Sequence, residues 1–129
     1  MPLNKLHVPQ SLAVETCHQI NDLLHDCLVT TCTVNPEDYF CLVSRYSQGD
    51  MILHPTFLGT RDPAATIIIE IALLAGRSDD QKEDLYKGVR RRLNGIGFEP
   101  NNSIIFLLEN GPIDWSFSDS GSVKSVLGL

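Results

Sequence analysis

The chain has 129 residues, 43% hydrophobic and 20% charged, which suits one domain built on a single core. Its formal net charge of -6 argues against nucleic acid as a partner, because that binding is driven by Lys and Arg on phosphates. No run reaches the ~18 apolar residues that span a bilayer, and no basic region followed by an apolar one opens the chain. The expectation is therefore one domain over residues 1–129, cytoplasmic, with no membrane partner.

In chain order, Met1 to Val8 reads as a short strand. Methionine aminopeptidase usually removes an initiator Met that precedes a small residue such as proline, so the mature chain would begin at Pro2. That places a secondary amine, fixed by its pyrrolidine ring, at the tip of a rigid element where packing controls its pKa. Met-Pro is also a common start and termini fray, so the dipeptide alone decides little.

Pro9 ends the extended run and Ser11 is the predicted helix cap. Ala13, Cys17, Ile20, Leu24, Cys27, Leu28 and Thr31 recur at three- and four-residue steps, with His18, Asn21, Asp22 and His25 falling elsewhere. The spacing predicts an amphipathic helix of roughly 20 residues. Val34 to Asp38 breaks it, and Tyr39 to Tyr46 reads as a second strand, with a short extended piece expected between Met51 and Phe57.

The second half repeats the order. Thr66 to Leu74 is nearly all apolar, as a strand buried on both faces would be. Ser78-Asp79-Asp80-Gln81 has the capping-box pattern, Leu85, Val89 and Leu93 give a buried stripe, and Asn94 to Gly97 ends the helix. Ser103 to Glu109 is the fourth strand, followed by a turn at Asn110-Gly111-Pro112, the segment Ile113 to Phe117, and a tail in which Val123, Val126 and Leu127 offer final contacts.

Strand-helix-strand thus occurs twice. The predicted fold is α/β (α+β), duplicated β-α-β units forming one mixed four-stranded sheet with two helices on one face. The third and fourth strands are apolar at both parities, so the other face also needs cover, which a symmetric homo-oligomer would supply. The four cysteines, Cys17, Cys27, Cys32 and Cys41, lack the close pairs of a zinc site, and the four histidines, His7, His18, His25 and His54, are scattered. No metal and no cofactor is expected.

An N-terminal proline, a duplicated β-α-β unit and a strand that delivers an arginine to a helix start together resemble the tautomerase superfamily, and more closely its malonate semialdehyde decarboxylase-like branch. The resemblance runs over nearly the whole chain. Its carriers are Met1-Pro2-Leu3, Pro36-Glu37-Asp38-Tyr39, Leu58-Gly59-Thr60-Arg61, Gly76 to Lys82, and Glu109-Asn110 followed by Asp114-Trp115-Ser116-Phe117, the most specific of them. It implies a homotrimer with active sites at subunit boundaries and Pro2 as the catalytic group. It further implies Asp38 as the polar residue beside the proline, Arg77 as the binder of a substrate carboxylate, and Trp115 and Phe117 as pocket walls.

These roles make chemical sense. Tautomerisation and decarboxylation of an oxo acid both pass through an enol or enolate, which a polarised carbonyl and a held carboxylate favour. Arg77 offers a planar fork, and the helix start at Ser78 adds free backbone N–H groups and a positive dipole end. Aromatic walls favour the neutral amine that abstracts a proton, whereas the Asp38 carboxylate favours the ammonium form. Taken one by one, Asp38 also reads as a turn acid, Arg77 as a solvated residue and the aromatics as core.

The chain departs from the branch in two places. The branch pattern carries two arginines one residue apart at the end of the third strand, and Leu74-Ala75-Gly76-Arg77 supplies one. Phe117 is followed by Ser118-Asp119-Ser120-Gly121 rather than directly by glycine. A single fork orients one carboxylate but gives less help to loss of carbon dioxide, so the leading expectation is a cofactor-independent tautomerase. Its substrate would be a small 2-keto acid such as phenylpyruvate, with Pro2 as general base. Decarboxylation or hydration of a small 3-oxo or unsaturated acid by a cationic Pro2 is the alternative, and a catalytically silent trimeric interaction protein is the third reading.

Overall fold

The computed structural model describes residues 1–129. Its four strands are β1 (Pro2–Pro9), β2 (Cys41–Tyr46), β3 (Ile67–Leu74) and β4 (Ser103–Asn110), with helices α1 (Val14–Cys32), α2 (Asp79–Gly95) and the short α3 (Val123–Val126). The sheet order is β2-β1-β3-β4. Within each half the strands are parallel, and the halves meet antiparallel through β1 and β3, where Lys5 stands opposite Glu70. The duplicated β-α-β arrangement and single mixed sheet read from the sequence are what the structure contains.

Alternation along β1 and β3 decides where the helices sit. Leu6 and Val8 on β1, and Ile67, Ile69, Ile71 and Leu73 on β3, are buried, while the residues between them are half-buried. The buried set packs against Cys17, Ile20, Leu24, Cys27 and Leu28 of α1 and Leu85, Val89 and Leu93 of α2 in one core. Both helices therefore cover one face. The other face carries Leu42, Phe106 and Leu108, which are 55%, 40% and 46% exposed. On that same face a hydrogen-bonded chain links three strands: His7 Nδ1 lies 2.6 Å from the Tyr46 hydroxyl and His7 Nε2 lies 3.0 Å from Glu70 Oε2.

Local chemistry sets the helix ends. Ser78 and Gln81 form the anticipated capping box, each side chain accepting from the other's backbone N–H. The α1 start differs from expectation, since its N-cap is Ala13, with no side-chain cap, and not Ser11. Ser11 lies in a turn closed by Leu12 N donating to Pro9 O, and Arg45 Nη1 donates to the Leu12 and Gln10 carbonyls. Bonds from Arg45, distant in sequence on β2, replace the missing cap as the device that fixes the helix entry. The anticipated extended piece between Met51 and Phe57 is instead irregular loop, where Pro55 lacks a ladder donor and Arg61 N donates to Pro55 O. The α1 stripe includes Leu23 and Cys32 in place of Ala13 and Thr31, and Thr31 turns its hydroxyl to Cys27 O.

Candidate active site

The strand directions bring the start of β1, the start of β2 and the ends of β3 and β4 to one end of the sheet. Pro2 pairs with Leu73 there, and Leu74 with Asn110. A pocket of about 420 Å³ opens at this end, lined among others by Met1, Asp38, Phe40, Phe117, Val126 and Leu127. The Met1 ammonium lies 2.5 Å from Asp38 Oδ2, with the two side chains only 15% and 21% exposed. A carboxylate so placed orients the terminal amine at the mouth of the pocket.

Asp38 owes its position to a tight turn. Asp38 N donates to Asn35 O, and Glu37 N donates to Asn35 Oδ1, the side-chain mimic of a turn that Asn favours. His25 of α1 supports the turn from behind by bonding the Pro36 carbonyl through Nε2 at 2.8 Å. Asp38 is thus both the turn acid that the local sequence suggests and a lining group of the pocket.

Arg77 stands at the same end of the sheet but does not line the pocket within the single chain. Its Nε donates to Cys32 O and its Nη1 to Leu74 O, each at 3.1 Å, so the guanidinium closes the C-terminal end of α1 against β3. Gln81 Nε2 does the same for Thr31 O. These contacts leave the Nη2 edge of the fork without a protein partner. The start of α2 offers an anion less than the sequence suggested, because the capping box consumes the Ser78 and Gln81 N–H groups and Asp79 and Asp80 occupy the first turn. Lys82, one turn into α2, pairs with Glu109, and that hydrogen bond holds its ammonium above the usual lysine range.

The segment after β4 crosses the sheet end from one edge to the other. Trp115 stacks on Phe117 with ring centroids 5.7 Å apart and planes 8° from parallel, and Phe117 meets Phe40, at the mouth of β2, at 5.3 Å. Phe117 lines the pocket, and Trp115 lies behind it in the single chain. Trp115 O accepts from Val123 N, which carries the tail back so that α3 and Leu127 close one wall. Phe40 and the wall made by α3 were not picked out as pocket residues from sequence. The usable signal was that Phe40 is two residues from Asp38, and so on its side of an extended segment.

Comparison with known proteins gives this geometry a family. A family model described as tautomerase enzyme matches residues 38–118, which is most of the chain. The chain belongs to the tautomerase family. Among curated tautomerases it is 23% identical over 120 residues to the probable tautomerase YusQ of Bacillus subtilis (strain 168), covering 92% of this chain and 94% of that protein. Two solved structures of malonate semialdehyde decarboxylase resemble it more strongly. FG41 malonate semialdehyde decarboxylase, inhibited by 3-bromopropiolate, is 29% identical with a TM-score of 0.87, covering 98% of this chain and 95% of that one. A second, described for its decarboxylase and hydratase activities, is 28% identical with the same TM-score over 98% and 97%. Within the superfamily the chain falls in the malonate semialdehyde decarboxylase-like branch.

Proposed function

We propose that this chain, once Met1 is removed, is a cofactor-independent tautomerase that moves a proton between carbon and oxygen of a 2-keto acid such as phenylpyruvate. The observation that carries this reading is the coincidence of the terminal amine, the Asp38 carboxylate and an apolar pocket at one end of the sheet. In the mature chain the Pro2 nitrogen, one residue further along the chain than the Met1 amine and at the same end of the sheet, is the free base. It removes a proton from the carbon beside the keto group, the electron pair moves onto the carbonyl oxygen, and the protonated Pro2 amine returns that proton to the oxygen, which gives the enol and regenerates the base. Arg77, at the same end of the sheet though outside the pocket lining of the single chain, is the residue we assign to the substrate carboxylate through its unpartnered Nη2, and Phe117, with Trp115 stacked behind it, faces the side chain of the substrate.

A second reading is favoured by the carboxylate itself. Asp38 pairs with the terminal amine of Met1, and a cationic Pro2 beside the same carboxylate suits the decarboxylation or hydration of a small oxo or unsaturated acid, the activities named for one solved relative. A pH-rate profile separates the two: activity rises as the Pro2 amine deprotonates if it is a base, and falls if it is an acid.

The uncovered sheet face, with Leu42, Phe106 and Leu108 half-exposed, supports assembly into a homotrimer that buries it. A fused 4-OT of the same fold, 17% identical with a TM-score of 0.77 over 96% of this chain and 98% of that one, is described as a symmetric trimer. Sedimentation at micromolar concentration tests this, and a monomeric mass overturns it.

A further inference from the structure

We propose that Asn110 is a positioning residue that fixes the aromatic wall of the pocket through Trp115 and thereby sets its preference for aryl-bearing substrates. The proposal rests on the 2-keto acid reading above. Asn110 is the last residue of β4. Its carbonyl accepts from Ala75 N, tying it to the end of β3. Its side chain has two partners: Oδ1 accepts from the Trp115 indole Nε1, and Nδ2 donates to Leu108 O at 3.3 Å.

The partners dictate the amide's orientation. An indole N–H only donates and a backbone carbonyl only accepts, so the oxygen must face Trp115 and the nitrogen must face Leu108. With Trp115 O accepting from Val123 N at 2.8 Å, the tryptophan is held at its ring by Asn110 and at its backbone by the start of α3. A ring held at both ends is a rigid backing for Phe117, and Phe117 is the aromatic surface that lines the pocket. Asp114 completes the turn by accepting from Gly111 N at 2.8 Å, so the path from β4 to Trp115 has little freedom.

Removing the acceptor while keeping the side-chain shape, as in Asn110→Leu, frees the indole to rotate off Phe117. An aryl substrate loses an ordered stacking partner, and a substrate without a ring loses little. Binding changes because the surface is no longer pre-organised, whereas the proton-transfer groups stay in place.

Trp115 is the chain's one tryptophan, so its emission and near-ultraviolet dichroism report on this ring alone. The experiment compares wild type, Asn110→Leu, Asn110→Asp, Trp115→Phe and the Asn110→Leu/Trp115→Phe double variant, each with Met1 removed. Asn110→Leu is expected to shift the Trp115 emission to longer wavelength and flatten its dichroism, while Asn110→Asp, which keeps the indole's acceptor but loses the Nδ2 bond to Leu108 O, stays nearer to the wild-type spectra than Asn110→Leu. For phenylpyruvate the KM is expected to rise about tenfold in Asn110→Leu, equivalent to ~1.4 kcal/mol, with kcat within about twofold. In the Trp115→Phe background, which has no indole donor, Asn110→Leu is expected to add nothing further to KM.

Unchanged Trp115 spectra in Asn110→Leu overturn the proposal. So does an equal rise in KM in both backgrounds, which would mean that Asn110 acts by another route. Should Asn110→Leu fail to fold, Asn110→Ser, which keeps a shorter hydroxyl, takes its place and must show the same spectral change. If the wild type does not turn over phenylpyruvate, the tautomerase reading falls, and calorimetric Kd values for phenylpyruvate and pyruvate across the same variants decide the positioning claim instead.

Discussion

Cys41, at the start of β2 and opposite Asn4, lies at the same end of the sheet as the candidate site, and burial sets its reactivity. Loss of solvent, reinforced by the neighbouring Cys17, pushes it up to about 11 from 9.0. Thiolate is the species that attacks electrophiles. At pH 8 a thiol at 9.0 is about one part in ten ionised and one at 11 about one part in a thousand, so Cys41 should alkylate ~100-fold more slowly than an ordinary exposed cysteine. The sign for stability follows from the same shift. Below pH 9 both folded and unfolded thiols are protonated and contribute no pH dependence. Between pH 9 and 11 the unfolded chain ionises first, so stability falls as pH rises through that window. Iodoacetamide labelling with peptide mapping, run from pH 7 to 11, is the assay. The expected result is negligible modification of Cys41 at pH 8 and a rate that climbs about tenfold per pH unit until ~11. Rapid, stoichiometric labelling of Cys41 at pH 8 would refute the argument that burial governs this thiol.

Three further outcomes are expected. Ser78→Ala removes one half of the α2 capping box and should cost about 1 kcal/mol in urea unfolding, with a smaller loss for Ser78→Gly. Glu70→Ala strips the carboxylate partner from His7 in the chain that joins three strands, and should cost about 1–3 kcal/mol in the same measurement, leaving α-helical circular dichroism unchanged. Arg77→Ala should do two things at once: raise KM for the 2-keto acid at least tenfold, or ~1.4 kcal/mol, and lower Tm, because the same guanidinium holds the Cys32 and Leu74 carbonyls. An Arg77→Ala protein with altered KM but unchanged Tm would show that the capping contacts carry no stability.

Much of the fold was written in local chemistry. The Leu85, Val89, Leu93 stripe in α2 arises from side-chain direction along a regular helix, and the Ser78-Gln81 capping box is complete within four residues, whereas β3, apolar at both parities and expected to be buried on both faces, is fully buried on the helix face and half-buried on the other. The misread features depend on distant partners. Ala13 rather than Ser11 caps α1 because Arg45, on β2, holds the intervening turn through the Leu12 carbonyl. Arg77 looked like a free fork because nothing in the sequence places the Cys32 carbonyl beside it. The Tyr46–His7–Glu70 chain was invisible for the same reason: it exists only once β1 lies between β2 and β3. At the candidate site, Asp38 and Phe117 do face the pocket with the N-terminus. Trp115 stands one layer back, because its indole answers to Asn110, five residues earlier on β4.

The most direct test of the proline-amine reading is an intact-mass determination followed by an ultraviolet assay of phenylpyruvate tautomerisation, comparing the wild-type chain with Pro2→Ala. The reading predicts that Met1 is absent from both proteins, that the wild type is active, and that Pro2→Ala loses about 10²-fold or more of kcat/KM, the usual worth of a positioned general base. A Met1-free Pro2→Ala protein with wild-type activity, or a Met1-free wild type that leaves phenylpyruvate untouched, would contradict it.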